Sequence, residues 1–261
     1  MKPETNLKTT PVAANKPANI ITIASGKGGV GKTWFAITLT HALAKRNSRV
    51  LLFDGDIGLA NVDIQLGLMP PKDLGNVISG KSTLRESAIR YEEGGFDIIA
   101  GRSGSGNMTD MPGQKLDSIH EGLRTLSMDY DQLIIDLGAG IESAVQKLTD
   151  STGTILVLTT DEPTALTDAY AFIKITTRNA PKSDIRVVVN MADTLQSGEK
   201  TYNTLLKACQ NFLKISPPLA GIIRRDIKVR ESIRHQSPIL QRYPNSPAAQ
   251  CVEEIAAQLT G

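Results

Sequence analysis

Ser25-Gly26-Lys27-Gly28-Gly29-Val30-Gly31-Lys32-Thr33 is the stretch that decides how this chain is read. Gly26, Gly31, Lys32 and Thr33 fit the phosphate-loop pattern G-x-x-x-x-G-K-[ST] without a gap. The flanks agree with it. Ile20–Ala24 is a short apolar run of the kind that forms a buried strand, and Phe35–Ala44 has helical spacing. A strand, a glycine turn and a helix in that order aim backbone N–H groups at a phosphate, because glycine lets the main chain come close. Gly26, Gly28, Gly29, Val30 and Gly31 are therefore expected to line a nucleotide phosphate cradle. Lys32 would reach the β- and γ-phosphates, and the Thr33 hydroxyl would bind Mg²⁺. The competing reading is a glycine-rich turn that matches by chance.

Lys27 is a second cation inside the same loop. One residue into the glycine turn, it cannot easily fold back onto its own nucleotide. It could neutralise phosphate charge across a dimer interface, as an arginine finger does in trans. The plain alternative is a solvated lysine. With these residues in view, Gly26-Lys27-Gly28-Gly29-Val30-Gly31-Lys32-Thr33 resembles the deviant Walker A motif of the MinD/ParA ATPases. The resemblance runs over nearly all of the chain from Ile20 onward, and it makes Lys27 the signature lysine.

The rest of the chain suits an α/β nucleotide-binding protein. Its 261 residues, 40% of them hydrophobic, suffice for one large domain. A net charge of +2 gives no overall electrostatic footprint for nucleic acid. Cys209 and Cys251 stand far apart and form neither a metal spacing nor a disulfide framework, as in a reducing cytoplasm. No apolar run approaches the length of a membrane span. Residues 1–18 are polar with three prolines and read as a flexible tail ahead of one domain over 19–261. Short apolar runs follow at 49–54, 96–100, 132–136, 154–159, 185–190 and 219–223, with helical patterns between them. This alternation predicts a mostly parallel, twisted sheet flanked by helices on both faces, with ligands at the carboxyl ends of the strands.

Acidic and amide side chains fall at those ends. Asp54-Gly55-Asp56 closes the second run. A carboxylate there can orient an attacking water, or simply cap a turn. The resemblance assigns the water-orienting role to Asp56 in a switch I segment and places Asp54 near the Mg²⁺ shell. Leu133-Ile134-Ile135-Asp136 ends in a Walker B carboxylate that would support the metal, and Gly138 and Gly140 give a turn able to sense the γ-phosphate. Asn190, after Val187-Val188-Val189, would read the adenine edge by the same resemblance, since an amide offers both a donor and an acceptor. Ordinary turn chemistry is the alternative.

Three later stretches are similar to the MinD-like regulators of flagellar number, the FlhG/FleN group. They are Thr159–Tyr170, Val189–Ala192 and Ser237–Ala249. That likeness implies a cytoplasmic switch that dimerises with ATP and hydrolyses it slowly. It would act at the inner membrane or cell pole on an SRP-type GTPase, a transcriptional activator or a flagellar switch component. A ParA-type partitioning ATPase is the second reading, because Arg224-Arg225-Asp226-Ile227-Lys228-Val229-Arg230 and Arg234 could contact DNA phosphates. A cluster carrier or metabolic P-loop enzyme is the third. The carrier version lacks cysteines near the second switch.

The chain departs from the family in three places. Trp34 replaces a small or polar residue near the α-phosphate and reads first as a packing residue. Residues 1–18 lack the N-terminal segment with which some flagellar members stimulate a GTPase. The terminal helix around Glu253 and Glu254 is acidic and small-sided, which suits a packed helix better than a membrane anchor.

Overall fold

The computed structural model describes residues 19–56, 60–101, 113–140, 143–149 and 153–260. The tail expected over 1–18 and residues 57–59 of the switch I segment lie outside them. Among the described residues eight strands form a single sheet: β1 Ile20–Ala24, β2 Val50–Gly55, β3 Ile89–Tyr91, β4 Phe96–Ile99, β5 Gln132–Leu137, β6 Thr154–Thr159, β7 Asp184–Ala192 and β8 Leu219–Arg224. Their spatial order is β3-β4-β2-β5-β1-β6-β7-β8. Every neighbouring pair is parallel except β3 with β4.

The central strands β1, β2, β5 and β6 are buried on both faces, which is why they read as continuous apolar runs instead of alternating ones. Side chains still divide with a period of two. Val50 and Leu52 enter one core, while Leu51 and Phe53 enter the other. The first face is covered by α1 Lys32–Lys45, α2 Val62–Leu66, α9 Ile227–Arg234, α10 Ile239–Arg242 and α11 Pro247–Thr260. The second is covered by α3 Leu74–Ile78, α4 Leu84–Ser87, α5 Gly113–Ser127, α6 Ser143–Thr149, α7 Pro163–Asn179 and α8 Leu195–Ala208. The terminal helix α11 is packed as its composition suggests. Ala248, Ala249, Val252, Ile255 and Ala256 are buried, and the helix lies against α1 and β8.

Two expectations need correction. The short edge strand β3 was not anticipated, because Arg90 at its centre is exposed and three residues carry little pattern. Asn190 does not end its strand. After a bulge near Val189, β7 resumes pairing at Ala192 with Arg224, and Met191 takes a left-handed φ of 58°.

Candidate nucleotide and metal site

β1 lies at the centre of the sheet between β5 and β6, and the glycine loop leaves its carboxyl end. The loop delivers the chain into α1 through Gly31, whose φ of 94° is one that side chains rarely adopt. No side chain caps α1. Its first-turn N–H groups are therefore left for an anion, and the helix dipole favours one.

Loop and surroundings are held tightly. A Cβ on Gly26 would come within 2.2 Å of the Asp168 carbonyl oxygen in α7, and one on Gly31 within 2.4 Å of Asn190 Nδ2. Asn190 Nδ2 donates to the Val30 carbonyl at 2.8 Å, so the buried amide braces the loop from β7. The Gly140 N–H donates to the Ser25 carbonyl at 3.0 Å, which ties the turn after β5 to the loop. Gly28 and Gly29, by contrast, have nothing within 4 Å of an added Cβ, and both line an open cavity of about 940 Å³.

Lys32 is buried and its Nζ donates to Ser25 Oγ at 3.0 Å. Burial lowers its pKa, while the carboxylates of Asp136 and Asp56 oppose the fall. Asp136 is 1% exposed, and neither carboxylate oxygen meets a well-aligned hydrogen-bond donor among the described residues. Burial pushes its pKa up to about 8. Asp54 adds to the rise, and the nearby Thr33 hydroxyl and Lys32 pull against it. A buried, unsatisfied carboxylate beside a threonine and a lysine is costly on its own and is relieved by a cation. The chemistry of Thr33 and Asp136 fits a divalent ion, which these two side chains would hold. Among the described residues no three His, Cys, Asp or Glu side chains form a metal cage of their own.

Asp54 and Asp136 are register partners across β2 and β5. Asp54 is fully buried and turns back onto its own chain. It accepts from the N–H groups of Asp56 at 3.2 Å, Asn61 at 3.2 Å and Val62 at 3.1 Å. That satisfies orphan donors at the start of α2 and ties both ends of the loop to β2. Burial pushes the Asp54 pKa up to about 7, against the pull of these N–H groups. The capping alternative weighed for Asp54 is thus realised in the geometry. Asp56 is half-buried and lines the cavity beside Gly138, where an added Cβ would meet its Oδ1 at 3.3 Å.

Lys27 points elsewhere. Its Nζ donates to Glu162 Oε2 at 2.5 Å and to Thr164 Oγ1 at 2.8 Å, both at the start of α7. The Glu162 pKa is lowered by that lysine. Nothing in the sequence spacing of Glu162-Pro163-Thr164 marks it as the partner of Lys27. The basic stretch after β8 is partly neutralised, with Arg225 paired to Asp193 and Lys228 to Glu231. Among the described residues no helix is long and apolar enough to cross a membrane.

A central parallel strand, a glycine loop, an uncapped helix and two strand-end carboxylates define a P-loop nucleoside triphosphatase. Residues 21–239 match the CobQ/CobB/MinD/ParA nucleotide binding domain, and the chain belongs to that family of ATPases. It is 34% identical to the antiactivator FleN of Pseudomonas aeruginosa over 243 residues, which cover 93% of this chain and 86% of that one. Its identity to the flagellum site-determining protein YlxH of Helicobacter pylori is 32% over 243 residues, covering 92% and 81%. The septum site-determining protein MinD of Pyrococcus horikoshii, solved with Mg-ADP, shares the fold with a TM-score of 0.77, 24% identity and coverage of 92% and 95%.

Proposed function

We propose that this chain, over residues 19–261, is an ATP-driven dimerising switch that regulates flagellar number or placement through partner proteins. The placement of Lys27 carries the mechanism. It is a cation in the phosphate loop whose side chain is 35% exposed and whose Nζ is engaged with α7, while Lys32 occupies the buried position beside Asp136. Two lysines in one loop thus have separate places, and the outer one can reach a second subunit once it leaves Glu162 and Thr164.

In this reading the N–H groups of Gly28–Thr33 and the Lys32 ammonium bind the triphosphate of ATP. Thr33 and Asp136 hold Mg²⁺, with Asp54 fixing the adjoining loop. The ion supplies charge neutralisation on the phosphates. Asp56 orients the attacking water from the side of Gly138. Asn190 faces the base end of the cavity. Lys27 leaves Glu162 and contacts the partner's nucleotide, so only the ATP-bound pair is complete. The name of the YlxH relative, a flagellum site-determining protein, supports the flagellar output.

Solution mass by light scattering tests the switch. Wild type is expected to be a monomer with Mg-ADP and a dimer with Mg-ATP, and Asp56→Ala is expected to trap the dimer. A monomer in every state, with ATP binding confirmed, sinks the proposal. Salt-sensitive DNA binding of the trapped dimer would move the output to partitioning.

A further inference from the structure

Ser25 joins the last residue of β1 to the first glycine of the phosphate loop and stands just outside the G-x-x-x-x-G-K-[ST] pattern. It is 1% exposed, and its polar atoms are engaged on three sides. The hydroxyl donates to the Lys27 carbonyl at 2.7 Å and accepts from Lys32 Nζ at 3.0 Å. The carbonyl accepts from the Gly140 N–H at 3.0 Å. One small residue thus touches the outer lysine, the inner lysine and the turn after β5.

The direction of the two hydroxyl bonds decides what Ser25 can do. A serine has one hydroxyl proton, and here the Lys27 carbonyl takes it, so a lone pair faces the Lys32 ammonium. That ammonium is buried, and a carboxylate would be a stronger acceptor for it than a neutral hydroxyl. Two carboxylates are near enough to stabilise its charge, those of Asp136 and Asp56. Asp136 is the register partner of Ile23, two residues before Ser25. Yet neither Asp136 oxygen meets a well-aligned donor among the described residues. Lys32 is held at the hydroxyl, while the carboxylate on the neighbouring strand stays open.

We propose that Ser25 is a positioning residue for the ATPase site: its hydroxyl keeps the Lys32 ammonium from closing on Asp136, which leaves the lysine for phosphate and the carboxylate for the ion. The geometry stands by itself, and its consequence rests on the nucleotide reading. Without the hydroxyl, Lys32 is expected to pair with Asp136, because two buried opposite charges relieve each other. That pair would occupy, within one subunit, the two groups that phosphate and metal need.

Crystal structures of the full chain without nucleotide, wild type and Ser25→Ala, test the placement. Lys32 Nζ is expected to move to hydrogen-bond distance of Asp136 in Ser25→Ala, and a lysine that stays where it is overturns the proposal. Calorimetry with Mg-ADP tests the consequence. Ser25→Ala should weaken binding about tenfold, since a charge-assisted pair must first be broken. Ser25→Thr keeps the hydroxyl and should restore the affinity. Ser25→Cys keeps the bulk but offers only a weak acceptor, so it should match Ser25→Ala and stands in for it if the alanine variant does not fold. In an Asp136→Asn background the Ser25→Ala change should cost less than about twofold, because the competing carboxylate is gone. An equal loss in both backgrounds, or unchanged affinity in Ser25→Ala, would show a serine that does not act through Lys32. If wild type fails to bind ADP, the nucleotide reading falls, and the two crystal structures still decide the place of Lys32.

Discussion

Lys27 Nζ lies 2.5 Å from Glu162 Oε2, so the outer cation of the phosphate loop is bound by its own subunit across 135 residues of sequence. Both side chains are open to solvent, at 35% and 62% exposure, and such pairs add little to stability. The contact matters as competition: a lysine held at α7 is not reaching into a second subunit.

Glu162→Gln is therefore expected to leave the melting temperature unchanged and to raise the ATP-dependent dimer fraction several-fold at fixed protein concentration. Lys27→Ala should lose the dimer while still binding ATP. Light scattering over a concentration series reads both. Equal dimer fractions in wild type and Glu162→Gln would show that the pair exerts no hold.

The glycines of the loop separate two roles. Gly31→Ala forces a side chain into a φ of 94° and drives its Cβ to 2.4 Å from Asn190 Nδ2. It should destabilise the apo protein by about 2 kcal/mol or more. Gly28 has an ordinary φ and nothing within 4 Å, yet lines the cavity. Gly28→Ala should leave apo stability within about 0.5 kcal/mol of wild type and still weaken ADP binding at least tenfold. Urea unfolding and calorimetry measure the two effects. A Gly28→Ala protein with normal ADP affinity would remove that backbone from the phosphate cradle.

The buried carboxyls set the pH response of the apo protein. Asp136 has an ordinary value of 3.8 and a folded value pushed up to about 8 by burial. Between those values the folded chain keeps a proton that the unfolded chain has released. Stability therefore falls as pH rises across that window, and Asp54, pushed up to about 7, adds to the slope. Lys32, whose pKa is lowered by burial, acts in the opposite sense at pH values below its ordinary 10.5. Urea midpoints without nucleotide should decline from pH 5 to pH 8, and Asp136→Asn should flatten the decline. A wild-type midpoint that rises over this range contradicts the assignment.

What the sequence made legible is what burial on both faces dictates. The apolar runs at 20–24, 132–136 and 154–159 became β1, β5 and β6 with shifts of a residue at most, because a parallel sheet between helix layers leaves few other options. The phosphate loop was legible because its chemistry demands those residue types in that order. The edge strand β3 was not, since Arg90 faces solvent and breaks the pattern. Neither were Glu162 as the counter-ion of Lys27 and Asp168 as the neighbour of Gly26, which only the folding of α7 over the loop brings together. Trp34 read as a packing residue, and it is one. That its indole N–H meets no partner among the described residues is a property of its surroundings, and no spacing encodes it.

The central place of β1 has a consequence for synthesis. Its Ile20 pairs in register with Leu133 and its Ile21 with Thr154, and the Val30 carbonyl waits for an amide 160 residues downstream. The loop leaves the ribosome early, but the scaffold that shapes it is translated late, and pairings this distant form slowly. A nascent chain that ends before Thr154 carries the glycine motif with at most one flank of its strand, β5, and without β6. A chain without β6 and Asn190 therefore lacks both the strand and the amide that shape the phosphate loop, and the loop takes its form only after most of the polypeptide has been made.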